Sequence, residues 1–259
     1  MSLSLSRLIS ALDAELRVKD FNDDSKNGLQ VENARGRVST VALGVDASLE
    51  FFRRAKEIGA DLCVVHHGIS WGESLSRITG ENHKIVSFLI ENGIALYAAH
   101  LPLDAHPRLG NNAGIARALG LAKIKSFCEY HGQQIGFKGE FAKAIPLAEL
   151  QAKIRRVVCD GIEPTRFAVL PFGKKTVKTL GVVSGGAASE VREAIADGLD
   201  CYLTGEANLQ SYNAAKSAGI NMIAAGHYAT ERFGVKAVGG FLKKRFEIPC
   251  EFIDFGITY

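Results

Sequence analysis

The chain has 259 residues, of which 47% are hydrophobic and 23% are charged, a balance that is typical of a soluble globular protein. Its length suffices for one large domain or two small ones. The formal net charge is only +3, and the longest basic run, residues 243–245, fits a solvated helix end better than a nucleic-acid patch. The composition therefore does not support a nucleic-acid-binding protein.

The five cysteines and the first seven residues indicate the cellular compartment of the protein. The cysteines are odd in number, widely spaced and free of any Cys-x-x-Cys pair. Several lie in apolar runs, where a free thiol behaves as a small buried hydrophobe, so we expect a reducing compartment. The first seven residues do not resemble a signal peptide, and no run approaches the 18 apolar residues of a membrane-spanning helix. We expect a cytoplasmic protein with no membrane partner.

The first half of the chain alternates predicted helices and strands. Apolar residues at helical spacing predict a helix over residues 5–17, and an Asp/Asn-rich loop follows at 22–28. Short apolar runs predict strands at 38–45, 62–65 and 94–99. Helical patterns fall at 49–58, 84–91 and 111–119. This βαβα order is typical of a mostly parallel sheet covered by helices.

The middle of the chain departs from this order. Residues 129–144 are Gly-rich with β character, and Pro146 opens a predicted helix that runs to about residue 158, before a strand at 167–170. The α/β order then returns, with strands at 179–183, 201–203, 222–225 and 251–255 and helices at 189–196, 209–217 and 230–246. We therefore predict an α/β domain formed by residues 1–127 and 176–259, with a smaller α+β domain inserted at 128–175.

Polar clusters repeat in the two halves of the α/β pattern. In each half, polar residues end one predicted strand, and a histidine after the next strand is followed four residues later by a carboxylate. The residues concerned are His66, His67, His100 and Asp104 in the first half and Glu206, His227 and Glu231 in the second. Two interpretations remain open: a coincidence between ordinary βαβ units, or a pseudo-repeat whose equivalent strand ends face one site.

The histidines and carboxylates stand where open α/β sheets bind ligands, beyond the carboxyl ends of strands. Neutral imidazole and carboxylate are good ligands for Zn²⁺, Fe²⁺, Mn²⁺ or Ni²⁺. A bridging carboxylate can hold two such ions ~3.5–4 Å apart. The histidines at 83, 106 and 131 lack this context, and we interpret them as structural or surface residues.

Two local features decide whether these side chains can meet. Adjacent residues of a strand point to opposite faces, so His66 and His67 share a site only if the backbone turns at Gly68 or if each serves a different ion. A helix that starts at Thr230 would place Glu231 in its first turn, aimed at the same point as His227.

These motifs resemble those of the NIF-three-like dinuclear metal-centre family, whose members are often labelled GTP cyclohydrolase 1 type 2 homologues. The resemblance covers nearly the whole chain, including residues 27–31, although Glu32 stands where a glycine is common. It implies a fold of two pseudo-equivalent α/β units, a ring-shaped homohexamer built as a trimer of dimers, and two divalent ions (Zn, Fe, Mn or Ni) per subunit. The implied ligands, with Glu231 as the bridge, are His66, His67, Asp104, His227 and Glu231.

The resemblance also implies roles beside the metal ions. His100 would transfer protons or support a ligand, Glu206 would be a catalytic acid/base or a carboxylate at a helix start, and Asp46 is a weaker candidate. The implied reaction is hydrolysis of a nucleotide or a related small molecule, such as ring opening of GTP at C8 by a metal-activated water. The sequence has no Gly-x-x-x-x-Gly-Lys-Ser/Thr loop for the phosphates. A phosphoesterase or peptidase, or a non-catalytic metal-binding scaffold or regulatory protein, are the alternatives.

Overall fold

A computed structural model describes residues 2–259 and shows a mixed α/β protein that divides into two compact units. The first unit comprises the described residues up to Leu103 together with Gly234–Phe255. The second comprises Asp104–Phe233 and Gly256–Tyr259. Within the described part of the chain, no helix is both long and apolar enough to cross a bilayer.

The elements follow one another in the following order along the chain. The strands are β1 Leu3–Ser4, β2 Gly28–Val31, β3 Arg37–Val38, β4 Val41–Asp46, β5 Leu62–His67, β6 Ala95–Ala98, β7 Ala122–Tyr130, β8 Gln133–Pro146, β9 Ala168–Pro171, β10 Thr176–Val182, β11 Cys201–Thr204, β12 Asn221–Ala224 and β13 Cys250–Phe252. The α-helices are α1 Leu5–Leu16, α2 Leu49–Glu57, α3 Gly80–Asn92, α4 Leu101–Asp104, α5 Asn111–Ala118, α6 Leu147–Ile154, α7 Val191–Ala196, α8 Leu209–Ala218 and α9 His227–Phe246. A 3₁₀ turn covers Val18–Asp20, and a π-helix extends α6 over Arg155–Cys159.

The first unit is built on a five-stranded sheet with the order β13-β4-β5-β6-β2. The first four of these strands run parallel, and β2 lies antiparallel on the edge beside β6. Strands β5 and β6 are almost wholly buried, as expected of parallel strands covered on both faces. Helices α2 and α3 contribute the aromatic and aliphatic core next to them, including Phe51, Phe52 and Leu89.

The second unit is built on a six-stranded sheet with the order β7-β8-β10-β11-β12-β9. Strands β10, β11 and β12 run parallel, whereas β8 joins β10 and β9 joins β12 in antiparallel pairs. The long β7–β8 hairpin extends the sheet on the β10 side. Its core includes Leu150, Leu180 and Ile223, contributed by α6, β10 and β12.

The two sheets share one local topology. In each, three parallel strands follow in order (β4-β5-β6 or β10-β11-β12), and an antiparallel strand that precedes them in sequence closes the far edge (β2 or β9). Strand β5 therefore corresponds to β11, and β6 to β12. This topology confirms the prediction of two pseudo-equivalent α/β units.

The boundaries between the two compact units do not coincide with the predicted boundaries of the insertion at 128–175. The reason is long-range strand pairing, since β8 pairs with β10 between Phe137 and Pro146 and β9 pairs with β12. Strands β8 and β9 are therefore part of the sheet of the second unit, and the inserted domain at 128–175 stays a prediction. Periodicity along the sequence does not report such pairing.

The last helix begins earlier than the sequence pattern predicted. Helix α9 starts at His227 rather than at Thr230, directly after Gly226, whose φ of 93° favours glycine and ends the extended segment. Glu231 therefore lies one turn beyond His227 rather than in the first turn. Residues four apart on a helix share a face, so the helix brings both side chains together.

Candidate functional site

His66 and His67 end strand β5 and are held from its two neighbouring strands. The Nδ1 atom of His66 is 2.9 Å from the carbonyl oxygen of Ala99, just after β6. The Nδ1 atom of His67 is 2.7 Å from Oδ1 of Asp46, the last residue of β4 and its partner in register. The two rings nevertheless lie near each other, with centroids 4.6 Å apart. Both histidines can therefore serve one cluster at the strand end.

His100 joins this cluster and is fixed by the loop that precedes β2. Its Nδ1 atom lies 3.0 and 3.1 Å from the two carboxylate oxygens of Asp23, and its backbone N–H donates to Oδ1 of Asn27. Its ring centroid is 5.2 Å from that of His66 and 5.8 Å from that of His67. One ligand atom from each of the three histidines falls within 4.8 Å of the others, a spacing suited to metal binding.

Asp23 is a buried charge that the rest of the loop stabilises. It accepts hydrogen bonds from the backbone N–H groups of Ser25 and Leu101 and from the side-chain amide of Asn27, in addition to His100. Burial by itself raises the pKa of Asp23, but the hydrogen bond and charge of His100, with the other donors, hold it at about 2. The carboxylate therefore stays ionised and holds the His100 ring in place.

In the second unit, His227 and Glu231 share one face of α9. His227 Nε2 lies 3.2 Å from Oε1 of Glu231, and His227 Nδ1 lies 2.5 Å from Oε1 of Glu206. Burial lowers the pKa of His227, but the hydrogen bonds and charges of Glu231 and Glu206 outweigh it and raise the pKa to about 9. The metal-free chain therefore holds an imidazolium between two carboxylates at neutral pH.

Asp104 is held by three polar residues of the same unit. Its Oδ1 accepts from the side-chain amide of Asn111 and from the hydroxyl of Ser184, both at 2.9 Å. Asn112 in turn donates to the Asp104 carbonyl and accepts from the Ser184 N–H. Asn111 and Asn112 are completely buried at the start of α5. This network sets the orientation of the Asp104 carboxylate.

The loop after β10 approaches the His227–Glu231 pair closely. Gly185 has a φ of 67°, and a Cβ atom there would clash with Oε1 of Glu231 and lie 3.2 Å from Nε2 of His227. The Gly185 N–H donates to the Thr230 hydroxyl, which ties the loop to α9. Glycine is required here by both its backbone conformation and the available space.

The three histidines of the first cluster (His66, His67 and His100) share one feature with His227, which forms a second cluster with Glu206 and Glu231. Each Nδ1 atom faces a backbone carbonyl or a carboxylate oxygen, from Ala99, Asp46, Asp23 and Glu206 in turn. Metal-binding histidines commonly donate their second ring N–H in this way, which orients the ring and presents Nε2 to the ion. Imidazole nitrogens and carboxylate oxygens are also the donors that Zn²⁺, Fe²⁺, Mn²⁺ and Ni²⁺ accept. The residues of each cluster therefore fit a divalent metal ion.

The structure also locates the other predicted residues. Glu206 does not start a helix, since α8 begins at Leu209 behind an Asn208 cap; instead it contacts His227. The remaining histidines stand outside both clusters. His83 is exposed on α3, His131 is exposed and stacks on Tyr130, and His106 Nδ1 accepts from two backbone N–H groups of its own turn.

Three residues near the first cluster escaped the sequence reasoning. Asp23 and Asn27 hold His100, and Gln30 accepts from the backbone N–H groups at residues 69 and 70, beyond the histidine pair. Two signals were available: the density of Asp and Asn in the loop at 22–28, and the match of residues 27–31 to the family, which gave Asn27 and Gln30 no role. A polar loop is so common in proteins that the first signal did not point to a site.

The sequence is similar to known proteins along most of its length. The model of the Duf34/NIF3 (NGG1p interacting factor 3) family matches residues 3–256. A protein of Pyrococcus horikoshii named GTP cyclohydrolase 1 type 2 homolog is 42% identical over 247 residues, covering 95% of this chain and 96% of that protein. A protein of the same name from Archaeoglobus fulgidus is 39% identical over 252 residues, with 97% and 98% covered.

Solved structures show the same fold. The ybgI protein, described as of unknown function, superposes with a TM-score of 0.91 at 32% identity, covering 99% of this chain and all of that one. A protein of Thermus thermophilus gives a TM-score of 0.86 at 36% identity, with 97% and 98% covered. The similarity therefore extends over both units.

Proposed function

The chain belongs to the Duf34/NIF3 family, and from that premise we propose that it binds two divalent metal ions and hydrolyses a nucleotide or a related small molecule. The proposed ligands are those that the sequence resemblance implies: His66, His67, Asp104, His227 and Glu231. The observation that supports the proposal best is the common state of the histidines, whose Nδ1 atoms face carbonyl or carboxylate oxygens. The names of the curated relatives support a cyclohydrolase-like reaction.

The bound ions would supply Lewis acidity and would bring the pKa of a water ligand near 7, so that water can attack at neutral pH. The chain's own residues would orient and balance this chemistry. Asp46, Asp23 and Glu206 would hold His67, His100 and His227 in the tautomer that presents Nε2. We assign His100 and Glu206 to proton transfer or to ligand support, and Glu231 to the bridging position.

Metal content tests the first part of the proposal. We expect His66→Ala and Glu231→Ala each to lower the number of bound ions per chain, measured by elemental analysis of folded, untagged protein. Matched controls are His83→Ala and Glu251→Ala, which remove the same side chains from exposed positions. Unchanged metal content in both ligand variants, relative to their controls, would disprove the ligand assignment.

The reaction is tested with metal-loaded protein and two substrate classes. Release of formate from GTP supports a cyclohydrolase, whereas phosphate release from generic phosphoesters supports the phosphoesterase alternative. Inactivity on both, with the metal content intact, favours a scaffold or regulatory protein. The homohexamer that we also propose from the resemblance is tested by light scattering of the same preparation.

A further inference from the structure

The single tryptophan of the chain lies beside the first histidine cluster. The Trp71 ring centroid is 4.9 Å from that of His100, in an edge-to-face arrangement, and 5.9 Å from that of His67. Trp71 is only partly buried, so the residue keeps some accessible surface. A ligand bound to ions at this cluster would therefore lie within reach of an aromatic surface.

Trp71 is held rigidly although it stands on a loop. Its indole N–H donates to the Gly68 carbonyl at 2.8 Å, and its backbone N–H donates to the Ser74 hydroxyl at 2.8 Å. The Ser74 hydroxyl bonds back to the Ile69 carbonyl, and the Gly72 N–H donates to the Asp24 carbonyl. The loop conformation is thus set by hydrogen bonds of its own before any ligand arrives, which lowers the entropy lost on binding.

These contacts limit what the side chain can offer to a ligand. The indole N–H is engaged within the loop, so the accessible part of Trp71 offers its π-surface rather than a hydrogen bond. Flat aromatic surfaces of this kind favour planar π-systems, and nucleobases stack on Trp with little dependence on base identity. A sugar or a phosphate alone gains much less from such a surface.

We propose that Trp71 is a stacking platform that selects planar heteroaromatic ligands, such as a purine base, at the His66–His67–His100 cluster. The inference rests on the proposed function, because it names the ligand class of that same site. Trp71 would recognise the planar ring of the ligand, and the histidines would bind the metal ions. Trp71 is a binding residue in this scheme and takes no part in proton transfer.

The fluorescence of the wild-type chain tests the proposal directly, since all tryptophan emission comes from Trp71. Guanosine 5′-monophosphate and ribose 5-phosphate are titrated into zinc-loaded and zinc-free protein, with free tryptophan correcting for light absorption by the base. We expect saturable quenching by the nucleotide in the zinc-loaded protein and none by ribose 5-phosphate. Absence of saturable nucleotide quenching in both preparations, or equal quenching by the two probes, would overturn the inference.

Calorimetry of variants separates stacking from a merely structural role. In zinc-loaded protein, Trp71→Ala should raise the Kd of guanosine 5′-monophosphate roughly tenfold or more, and Trp71→Phe should recover most of the loss. Ile78→Ala, which removes an exposed apolar side chain from the same segment, should bind like wild type. An unchanged Kd in Trp71→Ala would contradict stacking. Zinc content is measured separately, so loss of the proposed metal site and loss of base recognition are distinguishable.

Discussion

The ends of β5 and β6 in the first unit and of β11 and β12 in the second occupy equivalent places in their sheets but present different donor atoms. The first place presents three imidazoles, with the carboxylates of Asp23 and Asp46 behind two of the rings. The second presents one imidazole in direct contact with two carboxylates, Glu206 and Glu231. The same topology thus presents mainly neutral donor atoms in the first unit and mainly anionic donor atoms in the second.

The difference has a chemical consequence for each cluster. Imidazoles would bind an ion without neutralising its charge, so the metal site proposed at the first cluster would depend on the outer carboxylates to orient and polarise its rings. In the second cluster the carboxylates would themselves balance the charge of a bound ion, and in the absence of an ion they stabilise a protonated His227. The following predictions test whether the two clusters differ in this way.

The largest effect is expected from added bulk beside each cluster. Gly185→Ala should lower the free energy of unfolding by about 1–3 kcal/mol for its left-handed backbone alone, and more because the new Cβ meets Glu231. Gly68→Ala lacks the backbone term and should lower it by about 1–3 kcal/mol through crowding against Gln30 and Ala98. Urea denaturation measures both.

Two glycines with open surroundings are the controls for this pair. Gly36 has a φ of 60° and no atom near a new Cβ, so Gly36→Ala isolates the backbone term. Gly240→Ala, in α9 and equally open, should be neutral or slightly stabilising. If Gly185→Ala were no worse than Gly36→Ala, close packing of this loop on Glu231 would be disproved.

The next effect concerns the carboxylates that orient the histidines. Asp23→Asn and Glu206→Gln should each weaken divalent-metal binding by about 10–100-fold, because each removes the negative charge that orients and polarises a histidine ring. Competition with a chromogenic chelator measures the change. Asp24→Asn, at the exposed neighbouring position, should bind metal like wild type. Weakening in only one of the two variants would show that the clusters do not share this design.

A pH dependence is expected in the second cluster of the metal-free protein. The pKa of His227 is about 9, above its ordinary value of 6.5, so protonated His227 stabilises the fold fully below pH 6.5. This stabilisation, on the order of 3 kcal/mol, is lost as the pH rises through 9. Unfolding of EDTA-treated wild type and His227→Gln should therefore differ most at pH 6 and least at pH 10. A constant difference would contradict the pairing with Glu206 and Glu231.

The smallest effects are expected from substitutions in the segments that hold the backbone beside each cluster. Asn27 accepts the part-buried His100 N–H in the first unit, so Asn27→Ala should lower the free energy of unfolding by about 1 kcal/mol. In the second unit, the Tyr259 carbonyl accepts from the Tyr228 N–H, and its ring and hydroxyl contact Arg166. Tyr259→Phe removes only the exposed hydroxyl contact and should cost less than about 1 kcal/mol. Thermal unfolding measures the loss of stability in both variants. A larger loss in Tyr259→Phe than in Asn27→Ala would contradict this prediction.

Several features of this chain were predictable because their signals are local. The apolar runs before His66, His100 and His227 are long enough to specify buried strands, so the strand-end position of each histidine followed from the sequence. The repeated histidine–carboxylate spacing left coincidence and a pseudo-repeat open, and the family resemblance predicted the two equivalent units that the sheet topology confirms. The early start of α9 was missed because a strand–glycine–helix junction leaves no apolar periodicity to mark it.

The sequence by itself therefore determined the fold class, the family and which side chains stand at the strand ends, since each depends on short patterns of apolar and polar residues. Only the tertiary structure decided what holds those side chains. Asp23 meets His100 across 77 positions, and β8 pairs with β10 although helix α6 and strand β9 lie between them in the chain. Such contacts depend on how distant segments pair and on where buried polar groups find partners, and neither leaves a period in the sequence.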